Sequence, residues 1–137
     1  MPLLDTTVFL DLQGRAGKKC QLQAQTAVNR LLAAQLKLTT SRINVAELYV
    51  GIELSRDPVG EELAIQAALT GLQILEFDDP AAQHFARIRA NLQKRGLLVG
   101  DMDMLIAAIA LTNNEPLVTR NPSHFTNIPG LQIIQYG

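Results

Sequence analysis

"VGDMDMLIAAIALTNNEPLVTRN", residues 99–121, decides the reading of the fold. Met104 to Leu111 is an unbroken apolar run of eight residues, far short of the roughly 20 that span a bilayer. Read as a helix, it is apolar on every side, and such a helix is buried. It opens with two aspartates, Asp101 and Asp103, and "PLVTRN" (116–121) after it reads as a strand.

Working outward, the same alternation repeats. "PLLDTTVFLDLQG" starts as a short apolar strand reaching Asp5 and continues with Val8, Phe9 and Leu12 at helical spacing. A basic loop, "GRAGKK" (14–19), leads to a helix over 20–35 and a strand over 36–40. Two helices follow, 44–55 and 58–72, the second with Pro58 at its first position. A strand over 73–77, a helix from Asp79 to about Arg95 and a closing strand over 131–136 complete the chain. Strands alternating with helices predict an α/β fold, a three-layer sandwich whose mainly parallel central sheet carries helices on both faces. Nothing resembling a linker or a repeat divides residues 1–137, so one domain is expected.

Composition narrows the function classes. With 137 residues the chain buries enough surface to fold without disulfide or structural metal. Its 47% hydrophobic and 18% charged content is that of a compact soluble protein. A lone cysteine, Cys20, suits a reducing cytosol and excludes a cysteine-based zinc site; no secretory leader is read, so a cytoplasmic location is expected, with no membrane partner. Net charge is −1, which neither predicts nor excludes a polyanionic partner.

Ligands of open parallel sheets bind outside the carboxyl ends of the strands. Asp5 is read as closing the first strand and Asn121 the fourth, so both point into that crevice. Glu47 has Ile43, Val50 and Leu54 at i−4, i+3 and i+7, which lays a carboxylate along an apolar stripe; alternatively "NVAE" (44–47) is a capping box in which Glu47 serves the helix start. Of the two aspartates, Asp101 is read first as a cap and Asp103 as a ligand, because one helix turn does not need two caps. Asp5, Glu47, Asp101 and Asp103 with the Asn121 amide make an all-oxygen donor set suited to Mg²⁺, with Mn²⁺ as substitute, and to phosphodiester hydrolysis. With those four carboxylates set aside, 12 basic residues face nine acidic ones, which permits a nucleic acid.

Other polar residues receive weaker assignments. Thr6, Ser123 and Arg120 border the crevice as candidate substrate contacts, and Arg87, Arg89, Lys94 and Arg95 form a cluster able to meet a phosphate backbone or simply solvent. His84 and His124, lacking a paired nucleophile, are assigned to packing or hydrogen bonding, and Met102 and Met104 to the core. Competing readings are a glycosyltransferase-like Asp-x-Asp in "DMD", a phosphate-accepting receiver module, and a catalytically silent adaptor.

Four blocks in order, "LLDTTVFLDL", "INVAELYVGI", "VGDMDMLIAAIAL" and "LVTRNPSHFTNIPGLQI", resemble the PIN-domain ribonucleases, and specifically the VapC toxins of type II toxin–antitoxin modules. The resemblance implies a Mg²⁺-dependent endoribonuclease that inhibits translation until a cognate antitoxin fills its cleft, often as a homodimer. It implies that Asp5, Glu47 and Asp103 hold one Mg²⁺. A fourth acidic position of many PIN domains falls on Asn121.

Overall fold

The computed structural model describes residues 1–137, in the order β1 (Leu3–Leu4), α1 (Thr6–Leu12), α2 (Lys18–Ala33), β2 (Thr39–Ser41), α3 (Arg42–Glu53), α4 (Pro58–Leu69), β3 (Gln73–Leu75), α5 (Asp79–Lys94), α6 (Asp101–Thr112), β4 (Leu117–Thr119), a 3₁₀ turn (Pro122–His124) and β5 (Ile133–Gln135). The strands form one parallel sheet in the order β3-β2-β1-β4-β5. This is the expected α/β sandwich. No helix is long and apolar enough to cross a membrane.

Alternation along the central strands divides the core. Leu3 and Leu117, register partners, face one layer, where α5 supplies Ile88 and Leu92 and α6 supplies Met104 and Ile106 through Ala110. Leu4 and Val118, the next pair, face the other, with Phe9, Ala24, Leu48 and Ile65 from α1 to α4. Residues 106–110 of α6 are all fully buried, as an apolar helix requires. Met102 departs from the expectation: in the first turn of α6 it is 46% exposed.

The predicted strands shrink to two or three residues each, because only the stretch paired on the sheet keeps extended geometry. Leu36 and Lys37 stay outside β2 and are exposed, and Lys18 and Lys19 join α2 rather than the basic loop. Capping positions explain the helix starts. Asp5, Ser41, Asp57 and Asp78 each accept a hydrogen bond from a free first-turn amide. The capping box of α3 is formed by Ser41 and Asn44, one turn earlier than "NVAE" suggested, which frees Glu47 from that duty. Helix α5 ends where Gly96 takes φ +68°, a left-handed value glycine adopts at little cost.

Candidate active site

Four elements meet at the carboxyl end of the sheet: the end of β1, the first two turns of α3, the first turn of α6 and the segment after β4. Asp5 leaves β1 to cap α1 and is 6% exposed. Its Oδ1 accepts from the Thr6 amide at 2.9 Å and from Asn44 Nδ2 at 3.3 Å, and its Oδ2 accepts from the Thr119 hydroxyl at 2.8 Å. Three elements therefore aim this one carboxylate.

Glu47 stands on α3, one turn beyond Asn44. The apolar stripe expected around it does not form: Val50 and Leu54 are 55% and 81% exposed, and the buried side of α3 is Val45, Leu48 and Ile52. Glu47 lies at the margin between these faces, half-buried, and its Oε1 accepts from the Thr6 hydroxyl at 2.7 Å. Asp103, in the third residue of α6, is half-buried, with His124 Nδ1 3.2 Å from its Oδ2.

Burial pushes the carboxyl of each above its ordinary range. At Asp5 the bonds from Thr119, Thr6 and Asn44 oppose that rise; at Glu47 the Thr6 hydroxyl opposes it while the charges of Asp5 and Asp103 add to it. At Asp103 the nearby His124 opposes the rise and Asp5 adds to it. The three groups thus feel one another across the crevice, and none is paired with a lysine or arginine. Three partly desolvated carboxylates facing each other without a strong cation are costly, and a divalent ion is the chemical remedy. No three acidic or histidine side chains close into a ready-made cage. That openness suits Mg²⁺, which commonly takes one or two carboxylates and keeps several waters, so the donor set fits such an ion.

The remaining candidates separate. Asp101 does not cap α6: Gly100 occupies that position without a side-chain bond, and Asp101, 69% exposed, turns to Arg89 on α5 at 2.7 Å. Asp101 and Asp103 therefore point to different partners, which removes the geometric basis for a jointly coordinating Asp-x-Asp. Strand β4 ends at Thr119, two residues before Asn121, so the hydroxyl that meets Asp5 is that of Thr119. Asn121 follows it, half-buried, its backbone N–H donating to Thr119 Oγ1 at 3.1 Å. Arg120 turns away from the crevice to clamp Asp11 with Nε and a terminal nitrogen at 2.7 and 3.2 Å. Ser123 is exposed on the 3₁₀ turn, and its carbonyl accepts from Thr126. Arg89 is engaged by Asp101, and Arg95 by Asn91 and the Asn127 carbonyl. His84 bonds Pro80 and Thr112, the hydrogen-bonding role assigned to it. Sequence reasoning gave Asn44 only a place at the helix start, passed over Thr119 and gave His124 only a generic role. The Asn44 to Glu47 spacing of three, one helix face, was the available signal.

A PIN domain family model matches residues 3–131. Ribonuclease VapC2 of Rickettsia felis is 33% identical over 101 residues, 74% of this chain and 75% of that protein. Among solved structures, VapBC2 from Rickettsia felis bound to a DNA fragment from their promoter superposes with a TM-score of 0.88 at 25% identity, covering 98% of both chains. VapBC-5 from Mycobacterium tuberculosis, a member of the VapBC family of toxin–antitoxin systems, does so with a TM-score of 0.71 at 27% identity over 98% of this chain and 97% of that one.

Proposed function

The chain belongs to the PIN domain family and, within it, to the VapC ribonucleases, and from that premise we propose that it is a Mg²⁺-dependent endoribonuclease acting as the toxin of a toxin–antitoxin pair. One observation carries the metal reading. Asp5, Glu47 and Asp103 come from three separate elements, influence one another's ionisation and lack a lysine or arginine to balance them. These three would hold a single Mg²⁺, with Asn121 beside them. When bound, the ion supplies Lewis acidity at the phosphate and acidifies a water.

The residues divide the remaining work. Asp5, fixed by donors from α1, α3 and β4, is the rigid anchor of the donor set. Glu47, whose carboxyl is raised by burial and by its acidic neighbours and whose Oε1 is held by Thr6, would be the group that orients a water or takes its proton. Thr6, holding Glu47, orients that acceptor and is not free to hold substrate. Ser123 and the half-exposed His124 stand at the rim, where an RNA phosphate would pass.

Inhibition of translation follows from RNA cleavage, and control of the toxin from a cognate antitoxin. The apolar surface supports protein partners, a second protomer among them. Leu54, Val59 and Leu63 are 81%, 71% and 67% exposed, and a groove of about 630 Å³ between α2, α4 and the sheet is lined by Phe9, Val28, Leu32 and Leu72. The test of activity is incubation of an end-labelled RNA pool with partner-free protein in Mg²⁺ and in chelator. Cleavage confined to Mg²⁺ is expected; no cleavage with either Mg²⁺ or Mn²⁺ would overturn the proposal.

A further inference from the structure

A chain of hydrogen bonds runs under the carboxylates and has one buried residue at its centre. Asn44 is fully buried, and the direction of its amide is determined by its neighbours. Its Oδ1 accepts from the Ser41 hydroxyl at 2.6 Å and the Ser41 amide at 3.3 Å, while Ser41 Oγ accepts from the Asn44 amide at 3.1 Å. Its Nδ2 therefore faces the crevice and donates to Thr6 Oγ1 at 2.9 Å and to Asp5 Oδ1 at 3.3 Å. The reversed amide would set an oxygen against the Asp5 carboxylate and an NH₂ against the Ser41 backbone N–H, two like-for-like contacts that the observed direction avoids.

This arrangement dictates the next link. Thr6 Oγ1 has one proton and receives the Asn44 amide on a lone pair, so its proton goes to Glu47 Oε1 at 2.7 Å. Ser41, Asn44, Thr6 and Glu47 form a relay with a single polarity. Its last acceptor is one carboxylate and its branch serves another. Asn44 and Glu47 share a face of α3, so the same amide that orients Thr6 also ties α3 to the end of β1.

We infer that Asn44 is a positioning residue: by fixing the proton of Thr6 and donating to Asp5, it sets Glu47 and Asp5 in the relative placement that a divalent ion requires. The inference rests on the metal-site reading above. Groups that orient ligands without touching the metal typically change its affinity about 10- to 100-fold when removed. A residue that merely packs would lower thermal stability and leave ion affinity alone.

The test is a double-mutant cycle read by calorimetric titration of Mn²⁺ into the metal-free 137-residue chain, with Tm recorded for each protein. Thr6→Val and Asn44→Ala should each weaken Mn²⁺ binding by about tenfold or more. The double variant should lose less affinity than the product of the two single losses, because the two share the Thr6 hydroxyl proton while Asn44 adds its own bond to Asp5. Thr6→Ser, which keeps that hydroxyl, should return affinity to within about twofold of wild type. Should Asn44→Ala fail to fold, Asn44→Ser takes its place in the cycle, removing the amide while leaving a hydroxyl near Ser41. Wild-type affinity in the Asn44 variant, or losses that multiply in the double variant, would overturn the inference and leave the metal site standing. A wild-type protein with no saturable Mn²⁺ binding would overturn the metal reading and this inference with it.

Discussion

Replacing Arg120 with alanine separates a structural arginine from one that reads RNA. Asp11 is fully buried, and its carboxylate receives two bonds from Arg120, at 2.7 and 3.2 Å, and one from the Tyr136 hydroxyl at 2.9 Å. Removing one member of a fully buried ion pair costs about 3–5 kcal/mol, because the other charge is left without its counterion. Arg120 is 33% exposed and Tyr136 still donates after the change, so water and the phenol recover part of that loss, leaving about 2–3 kcal/mol. For a chain of this size about 4 °C accompanies each kcal/mol, so Tm should fall by about 8–12 °C in a calorimetric scan of the metal-free protein. Arg120→Lys keeps a charge without the two-pronged geometry and should recover about half of the drop. An Arg120→Ala protein with unchanged Tm but weaker, less salt-dependent RNA binding would refute this reasoning, because a phosphate contact acts that way.

Metal and pH should act on stability together. Asp5, Glu47 and Asp103 are all raised by burial on folding, so their contribution is full below the unfolded carboxyl range and is lost as pH rises through the folded values. The metal-free protein therefore carries a burden that grows as pH rises, and at pH 7 a Mn²⁺ concentration about 100 times the Kd should stabilise it by about 2.7 kcal/mol, a gain that shrinks at the same concentration as pH falls toward about 4. An equal gain in Tm at both pH values would contradict this. Burial, and the bond it donates to Asp11, hold the Tyr136 phenol far above its usual range. In Tyr49→Phe protein, ultraviolet titration should show no phenolate until the chain unfolds in alkali, and a normal titration would contradict the placement. Asp101→Asn removes an exposed partner of Arg89, so the cleavage rate should stay within about twofold of wild type; a loss of tenfold or more would restore Asp101 to the donor set.

The sheet and its layers were legible because the signals are local. The apolar run of α6, Pro58 opening α4 and the alternating short strands each report burial or dihedral preference within a few residues. Strand ends were less legible, since Leu36 and Lys37 alternate like a strand yet find no partner beside β1. The crevice was legible in its charges: carboxylates opening or ending apolar segments pose a desolvation problem that the sequence itself displays. Its support was not. Thr119 and Asn44 reach Asp5 across 114 and 39 positions, and no local spacing encodes such a contact. Arg120 shows the converse, because an arginine beside a crevice reads as a phosphate contact until the fold brings Asp11 and Tyr136 beneath it. Asp101 was misread for a smaller reason: Arg89, on the neighbouring helix, outcompetes the helix end for its carboxylate.

The most direct test of the central claim is the rate at which partner-free protein cuts RNA in Mg²⁺, wild type against Asp103→Asn, with both shown by circular dichroism to be folded. The account predicts that wild-type cleavage is lost in chelator and that Asp103→Asn cuts at background while keeping its fold. A folded Asp103→Asn protein that cleaves at the wild-type rate would contradict the assignment of Asp103 to the metal site and the mechanism built on it.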